Sequence, residues 1–192
     1  MAKVTGTPRV LYEDNHLLVV VKPPNMLAQA DSSGDGDLLS RCKSYIKEKY
    51  AKPGTVYLGL VHRLDRPAGG VMVFARTSKA AARLAESMRK DAFDKRYVAA
   101  LQGDAPDARA LHGFLLKNEK TNTVSVVAEG TPGAKEALLS FETHARRDGL
   151  SLVEVHLQTG RAHQIRVQMA HAGYPLWGDA RYGGGKPGQQ IA

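Results

Sequence analysis

The apolar residues of this chain occur in short runs separated by polar turns, and this pattern limits the folds that it can adopt. Residues 17–21, Leu-Leu-Val-Val-Val, and the valine-rich segment 70–75 have the length of buried β-strands. No run approaches the roughly 20 apolar residues that a membrane-spanning helix requires. The 192 residues are 43% hydrophobic and 24% charged, which is typical of a globular protein. We therefore expect a folded protein rich in strands.

Periodicity and turn signals place the individual elements. Helices are predicted where apolar residues recur with the helical repeat, at residues 37–50, 78–90 and 161–172, with Asp35 or Asp37 capping the first and Gly173 ending the third. Strands are predicted at residues 9–12, 16–22, 56–61, 70–75, 96–101, 111–116, 123–127, 137–144 and 151–157. This order predicts one α+β domain: a mainly antiparallel mixed β-sheet with three flanking helices.

The charge of the chain is positive and unevenly distributed. The formal net charge is +8, and residues 1–100 hold 17 basic against 10 acidic side chains. Such an excess favours a polyanionic partner such as nucleic acid, although a solvated basic surface gives the same count. The single cysteine, Cys42, excludes an internal disulfide, and residues 1–6 lack the apolar segment of a secretory signal. We expect a cytoplasmic protein without a membrane segment.

Residues 62–66, His-Arg-Leu-Asp-Arg, carry the first candidate for chemistry. They follow a predicted strand, and loops held by a rigid sheet often carry catalytic groups. Arg63 and Arg66 flank Asp65, and nearby positive charge keeps a carboxylate ionised. An ionised aspartate can act as a nucleophile, a general base or a metal ligand. A surface ion pair is the commoner role for an isolated aspartate, so spacing alone leaves both interpretations open.

Residues 159–167 are the second candidate, at the start of the third predicted helix. The N–H groups at a helix start can bind a phosphate, and Thr159, Gly160 and Arg161 lie beside this one. His163 and Arg166 are three residues apart and share a helical face. An ordinary amphipathic helix, with an apolar stripe formed by Ala162, Ile165, Met169 and Ala172, explains the same pattern. The pattern alone favours that simpler interpretation.

Several other functions lack support in the sequence. The seven histidines form neither a His-x-x-x-His pair nor a His-Glu-x-x-His signature, and we predict no metal site. The chain contains no Gly-x-x-x-x-Gly-Lys loop for nucleotide hydrolysis and no Gly-x-Ser-x-Gly elbow for a serine hydrolase.

Five segments in order along the chain resemble the motifs of the RluA-type pseudouridine synthases. Residues 62–70 look like the family's His-Arg-Leu-Asp signature. The other four resemble its N-terminal strand with a Lys-Pro turn (15–24), its Lys-Arg/Thr-Tyr segment (95–99), its Gly-Arg-x-His-Gln-Ile-Arg helix (160–166) and its Pro-Leu-x-Gly-Asp-x-x-Tyr-Gly loop (175–183). Five ordered motifs are specific, and the resemblance as a whole covers about residues 9 to 190.

The resemblance implies isomerisation of uridine in RNA to pseudouridine, with no metal or nucleotide cofactor. Asp65 matches the catalytic aspartate, Arg166 the arginine that pairs with it, and Tyr97 the active-site tyrosine. The tyrosine ring can stack on the uracil, and its hydroxyl can relay the C5 proton. Attack of the carboxylate on C1′, attack on C6 and assisted glycal formation remain open. The target uridine must leave its stack to reach the pocket.

The same resemblance suggests how RNA is bound. Arg63 matches an arginine that occupies the space left by the flipped nucleotide or contacts its phosphates, and His62 is interpreted as structural or RNA-facing. The remaining predicted RNA-binding residues are Arg66, Arg161 and His163. We expect a monomer that acts on structured ribosomal or transfer RNA.

The ends of the chain depart from the pattern of many family members. About eight residues precede the first predicted strand, which leaves no room for an S4 domain, and the usual C-terminal Leu-His-Ala strand is missing. We therefore expect a single catalytic domain over residues 1–192 that lacks both. RNA recognition must then come from the basic surface and loops of the domain itself. The candidate residues, several of which could equally be solvated charges on helices, are Lys43, Lys47, Lys49, Lys79, Arg83, Arg89 and Lys90.

Two alternatives accompany this hypothesis. A non-catalytic RNA-binding or assembly protein could use the same fold, but binding an anion does not call for a carboxylate such as Asp65 in the pocket. An aspartate-dependent glycosidase or nuclease would need a second catalytic carboxylate or a metal cluster, and the sequence shows no convincing one.

Overall fold

The computed structural model describes residues 6–90, 93–186 and 191. Within these residues the chain forms nine strands and three helices. In chain order they are β1 (Arg9–Glu13), β2 (Leu17–Lys22), α1 (Leu38–Lys49), β3 (Gly59–Leu60), β4 (Gly70–Ala75), α2 (Ser78–Arg89), β5 (Arg96–Gln102), β6 (Ala108–Asn118), β7 (Thr123–Val127), β8 (Lys135–Arg147), β9 (Leu150–Leu157) and α3 (Gln164–His171). None of these helices combines the length and apolarity needed to cross a bilayer.

The α+β class predicted from the sequence is confirmed, but the strands form two sheets instead of one. A four-stranded sheet has the order β1-β2-β4-β3, and a five-stranded sheet has the order β5-β9-β8-β6-β7. All neighbouring strands run antiparallel. Each sheet belongs to one of two compact units, Met1–Phe93 and Asp94–Ala192. Alternating apolar residues indicate strands without indicating their partners, so the division into two sheets was not predictable from the pattern.

In the first unit, α1 packs on one face of the four-stranded sheet. Its buried residues are Leu38, Cys42 and Ile46, spaced four apart along the helix. They join Phe74 and other inward-facing residues of β2 and β4 in one apolar core. Asp37 caps the helix because its side chain accepts a hydrogen bond from the Ser40 N–H at 2.9 Å, which decides between the two predicted caps.

The third strand is shorter than predicted. Val56 and Leu58 are buried in the same core, as the apolar pattern indicates, yet the backbone pairs with β4 only at Gly59 and Leu60. A Cβ atom at Gly59 would lie 3.0 Å from the Cβ of Ala81 in α2. At Gly59, where β3 begins to pair with β4, the strand therefore passes close to α2.

In the second unit, α3 begins at Gln164 instead of Arg161. His163 adopts a left-handed conformation, with φ of 50°, which interrupts the predicted helix. The side chain of Gln164 accepts hydrogen bonds from the Arg161 N–H at 2.9 Å and the Thr159 hydroxyl at 2.8 Å. The N–H of Arg161 is thus bonded within the protein, and the predicted helix start at Arg161 is corrected to Gln164.

The buried face of α3 also differs from the predicted stripe. Met169 is buried as expected, but the other buried residues are Gln164, Val167 and Gln168. The amide of Gln168 donates to the carbonyl oxygen of Ala137 at 3.1 Å, and that of Gln164 to Leu138 at 3.0 Å. Both glutamines thereby attach the helix to β8, which periodicity of apolar residues alone does not reveal.

A cluster of polar side chains surrounds Glu13, the last residue of β1. The Glu13 carboxylate is 7% exposed and lies 3.0 Å from Arg76, itself 9% exposed, and 2.7 Å from Lys49. It also accepts hydrogen bonds from the hydroxyls of Tyr45 and Tyr50. Burial alone would raise the pKa of Glu13, but the hydrogen bonds from Lys49 and the two tyrosines outweigh it and lower the pKa.

We expect Glu13→Ala to destabilise the protein by roughly 3 kcal/mol, because it leaves the guanidinium of Arg76 buried without its carboxylate partner. Urea denaturation followed by circular dichroism would measure this loss. Glu119→Ala is the matched control, since its pair with Lys117 is exposed and should contribute less than about 1 kcal/mol. Equal losses for the two variants would contradict the prediction.

Candidate active site

Asp65 lies on the loop that joins β3 to β4, the two adjacent strands at one side of the four-stranded sheet. The carbonyl oxygen of Asp65 accepts a hydrogen bond from the Ala68 N–H at 3.1 Å, which closes a tight turn directly after the aspartate. The Asp65 side chain is half-buried. A rigid sheet therefore positions the predicted catalytic carboxylate, as the sequence led us to expect.

A buried lysine fastens this loop to the end of β2. Lys22 has no exposed surface, although lysine is rarely buried completely. Its ammonium group donates to the carbonyl oxygens of Met26 at 2.7 Å, Pro23 at 3.1 Å and Arg66 at 3.1 Å. Arg66 directly follows Asp65, so one ammonium group ties the Lys-Pro-Pro turn to the aspartate loop.

The charge of Lys22 is sensitive to this environment. Burial lowers the pKa of Lys22 to about 8, while attraction to Asp65 acts in the opposite direction. The ammonium and the carboxylate therefore interact electrostatically within the first unit. Three carbonyl acceptors satisfy all three N–H groups of the ammonium, which is the condition for burying such a charge.

His62 supports the other end of the loop. Its Nε2 atom accepts a hydrogen bond from the Val73 N–H in β4 at 3.0 Å. An accepting nitrogen is unprotonated, so the ring in this arrangement is neutral with its proton on Nδ1. Burial lowers the pKa of His62, which agrees with this assignment. The structural half of the His62 interpretation is thus supported, while its contact with RNA remains a prediction.

Gly69 lets the loop pack against the proline turn, and Gly70 lets it pack against its own Leu64. A Cβ atom at Gly69 would lie 3.1 Å from the ring of Pro24, and one at Gly70 would lie 3.1 Å from Leu64. Gly70 also has a φ of 145°, which side-chain-bearing residues rarely adopt. The Lys-Pro-Pro turn and the aspartate loop, more than 40 residues apart in the sequence, therefore form one packed assembly.

The other two predicted catalytic residues lie in the second unit. Tyr97 is in β5 opposite Val155 of β9 and is half-buried against the core of that unit. Arg166 is in the first turn of α3, and its side chain is 12% exposed. The same core receives Ile165 and Met169 from α3. The predicted pairing of Asp65 with Arg166 joins residues of different units and stays a prediction.

The guanidinium of Arg166 is held by Asp179. Nε donates to one carboxylate oxygen and Nη2 to the other, each at 2.8 Å. Asp179 has no exposed surface. Burial alone would raise the pKa of Asp179, but hydrogen bonds from Arg166 and from the N–H groups of Arg181 and Tyr182 outweigh it and lower the pKa. The carboxylate is therefore ionised at neutral pH.

The predicted RNA-binding residues occupy different settings. Arg63 and Arg66 are exposed, and Arg66 forms an ion pair with Asp35 at 2.7 Å. In the second unit, Nε of exposed Arg161 donates to the carbonyl oxygen of Glu136 at 2.7 Å, and Nδ1 of His163 lies 2.8 Å from the hydroxyl of Tyr182. Their contact with RNA stays a prediction.

Among residues 6–90, 93–186 and 191, no group of three or more metal-ligating side chains could hold a metal ion.

A comparison with models of protein families finds a match. The model of the RNA pseudouridylate synthase family matches residues 16–171, which is most of the chain. The chain belongs to this family. The matched range contains the aspartate loop, Tyr97 and Arg166 and ends before Asp179.

Curated relatives agree with this family assignment. An uncharacterised RNA pseudouridine synthase of Bacillus subtilis is 32% identical over 182 residues, covering 94% of this chain and 59% of the relative. Ribosomal large subunit pseudouridine synthase D of Pseudomonas aeruginosa is 35% identical, covering 91% of this chain and 53% of the relative. Synthase C of Buchnera aphidicola (Baizongia pistaciae) is 33% identical, with coverages of 91% and 53%. The chain thus spans somewhat more than half the length of these relatives.

Solved structures show the same fold. Human RNA pseudouridylate synthase domain containing 4 matches with a TM-score of 0.76 at 23% identity, covering 91% of this chain and 68% of that one. Human RNA pseudouridylate synthase domain containing 1 matches with a TM-score of 0.74 at 22% identity, with coverages of 92% and 70%.

Sequence reasoning missed two residues that support the site. From the sequence, Lys22 is placed at the end of a strand and in the Lys-Pro turn motif and its burial is not predicted, although it continues the alternation of the buried residues Leu18 and Val20. That alternation was the available signal for its burial. Asp179 was noted only as part of a motif, and its partnership with Arg166 has no local signal because 13 residues separate them.

We expect Lys22→Met to lower the free energy of unfolding by about 1–3 kcal/mol, because three carbonyl oxygens lose their shared donor. The difference from the wild type should grow between pH 8 and pH 10.5. In that range the unfolded wild type retains the Lys22 proton that the folded form has released, so this group makes stability rise with pH. Urea denaturation at several pH values would measure both effects.

Lys47→Met is the matched control, because Lys47 is exposed on α1 in the same unit. Its effect should stay within about 0.5 kcal/mol. A difference between wild type and Lys22→Met that is flat or falls with pH would count against the buried ammonium.

Proposed function

We propose that this protein is an RNA pseudouridine synthase that isomerises specific uridines in structured RNA. The observation that carries the proposal is Asp65. The resemblance of residues 62–70 to the family's His-Arg-Leu-Asp signature assigns it to the catalytic position, and it lies on a loop that Lys22 and His62 attach to neighbouring segments of the first unit. A catalytic group has to be held in a defined geometry, and a purely RNA-binding surface does not require such a support for a carboxylate.

The reaction rearranges one nucleotide without net addition or loss of atoms. The C1′–N1 bond breaks, the uracil turns, and a bond forms between C1′ and C5, whose hydrogen leaves as a proton while N1 gains one. We assign to Asp65 the role of the carboxylate that assists cleavage of the C1′–N1 bond. Attack on C1′, attack on C6 and assistance of glycal formation are all compatible with a carboxylate at this position.

The other assigned roles follow from the family positions. Tyr97 stacks on the flipped uracil and relays the C5 proton, and Arg166 pairs with Asp65. No metal or nucleotide cofactor takes part in this scheme. Asp65 lies in the first compact unit, and Tyr97 and Arg166 lie in the second.

Ribosomal or transfer RNA is the proposed substrate. Two of the relatives are named ribosomal large subunit pseudouridine synthases, which favours ribosomal RNA. The net charge of +8 suits a polyanion, and the exposed Arg63, Arg66 and Arg161 are assigned to RNA contacts together with His62 and His163. We further propose that the protein works in the cytoplasm as a monomer.

We expect Asp65→Asn to abolish tritium release from RNA that carries uridine labelled with tritium at C5. Formation of the C5–C1′ bond expels this label, so its release reports the isomerisation directly. Transcripts of ribosomal and transfer RNA should be tested in parallel. The circular dichroism spectrum and RNA binding of the variant should remain those of the wild type, because the substitution preserves the size of the side chain.

Glu48→Gln provides a matched change from carboxylate to amide on the exposed surface of α1, and it should retain full activity. Full activity of Asp65→Asn would disprove the assignment. Wild-type protein that binds both RNA classes tightly and releases no tritium from either would indicate an RNA-binding or assembly protein instead.

A further inference from the structure

The side chain of Asp179 is organised around one partner. Its two oxygens meet Nε and Nη2 of Arg166 at 2.8 Å each, in the fork geometry of a bidentate pair. This geometry fixes the plane of the guanidinium and directs the edge that carries Nη1 away from Asp179. A single hydrogen bond would leave the guanidinium able to rotate, so the bidentate contact determines where Arg166 points.

The turn after α3 is built to hold Asp179 in this position. The N–H groups of Arg181 and Tyr182 donate to one oxygen of the carboxylate at 2.9 and 3.2 Å. The carbonyl oxygen of Asp179 in turn accepts from the N–H groups of Gly183 at 2.8 Å and Gly185 at 3.0 Å. The turn thus curls around the aspartate and immobilises its side chain and its backbone together.

Two glycines of the turn, Gly183 and Gly185, have no space for a side chain. A Cβ atom at Gly183 would lie 2.7 Å from the carbonyl oxygen of Leu176, and one at Gly185 would lie 2.5 Å from the backbone of Gly178. Both contacts are with backbone atoms, which cannot move aside easily. The Gly-rich sequence at 183–185, which as a sequence suggests a flexible loop, is here required for close packing.

Tyr182 connects this turn to the sheet and to α3. Its hydroxyl accepts a hydrogen bond from the Val124 N–H in β7 at 2.9 Å and lies 2.8 Å from Nδ1 of His163. The Tyr182 ring lies beneath the guanidinium, with Cζ of Arg166 5.1 Å from the ring centroid. Asp179 therefore holds the guanidinium from its Nε and Nη2 edge, and Tyr182 supports it from one face.

We propose that Asp179 and Tyr182 are positioning residues that set the orientation of Arg166 for the isomerisation. The inference rests on the proposed function, in which Arg166 pairs with the catalytic aspartate. Asp179 and Tyr182 act through Arg166. A loss of either one changes the turnover of bound RNA more than it changes the binding of RNA.

A purely structural role is the competing explanation, and a buried ion pair by itself is weak evidence for either role. The two explanations differ in what they predict when Arg166 is already altered. A positioning residue loses its effect on turnover in that background, because the group through which it acts is gone. A residue that only stabilises the fold has the same effect in both backgrounds.

The test is a double-mutant cycle with Asp179→Asn and Arg166→Lys, scored by tritium release from C5-labelled RNA at saturating and limiting concentrations. We expect Asp179→Asn to reduce kcat on the order of 100-fold, the scale of a misplaced catalytic group, with KM changed less than about threefold. In the Arg166→Lys background the same substitution should reduce kcat by less than about threefold further. Thermal unfolding of each variant gives the folded fraction.

Tyr182→Phe supplies a second, milder variant, because it keeps the ring beneath the guanidinium and removes only the hydroxyl. It should lower kcat by about 10-fold, because the contacts of the hydroxyl with the Val124 N–H and with His163 are both lost. Asp148→Asn, at an exposed hairpin of the same unit, is the control and should leave kcat unchanged.

Chemical rescue separates positioning from folding. Millimolar guanidinium ion should restore part of the activity of Arg166→Ala, because Asp179 can hold the free cation in place of the missing side chain. The double variant with Asp179→Asn should not respond. Rescue that is equal in both proteins, or equal effects of Asp179→Asn in both backgrounds of the cycle, would overturn the inference.

These outcomes are distinct from failure of the proposed function. Wild-type protein that releases no tritium from RNA would refute the synthase activity itself. Wild-type release together with normal kcat in folded Asp179→Asn would leave the activity standing and overturn only the role of Asp179.

Discussion

The ammonium group of Lys22 holds the aspartate loop in place, and the candidate chemistry of the first unit depends on it. Removing a charge from water is costly, and burial lowers the pKa of this lysine to about 8. Three carbonyl oxygens offset that cost. Pro23 and Met26 supply two of them from the proline turn, and Arg66, next to Asp65, supplies the third. A neutral side chain of similar length could fill the space, but it could not bind three acceptors at once. One buried charge therefore determines the course of two loops.

The second unit uses the opposite charge in a similar way. Asp179 is fully buried, and its carboxylate gathers the guanidinium of Arg166 and two backbone N–H groups. In each unit a charged group with satisfied hydrogen bonds orders a loop at the end of regular structure, next to a residue that the family resemblance places in the reaction. Hydrogen-bonded networks of this kind are rigid because any departure leaves a buried polar group without a partner. Such rigidity suits the proposed isomerisation, in which the Asp65 carboxylate and the uracil ring have to be held in a fixed orientation.

Helices and strands followed closely from local patterns. The first helix, its cap at Asp37 and the strands of the long hairpins lie within a few residues of their predicted positions, because periodicity and capping are properties of neighbouring residues. The third helix was mispredicted at its start because the side chain of Gln164 and the left-handed His163 redirect the chain there. The third strand was shortened because a strand is defined by its partner as well as by its own residues. The first difference arises from side-chain hydrogen bonds that apolar periodicity does not report, and the second from pairing with a strand farther along the chain.

The sequence by itself determined the α+β class, the positions of most elements and, through five ordered motifs, the family and the residue expected to be catalytic. Those conclusions rest on local periodicity and on residue identity at fixed spacings, which a linear chain displays directly. The tertiary structure decided that the strands form two sheets, that Lys22 lies buried beneath the aspartate loop, and that Asp179 holds Arg166. Each of these depends on which distant segments meet. A buried charge can be tolerated only where folding brings its hydrogen-bond partners together, so its role becomes visible only in three dimensions.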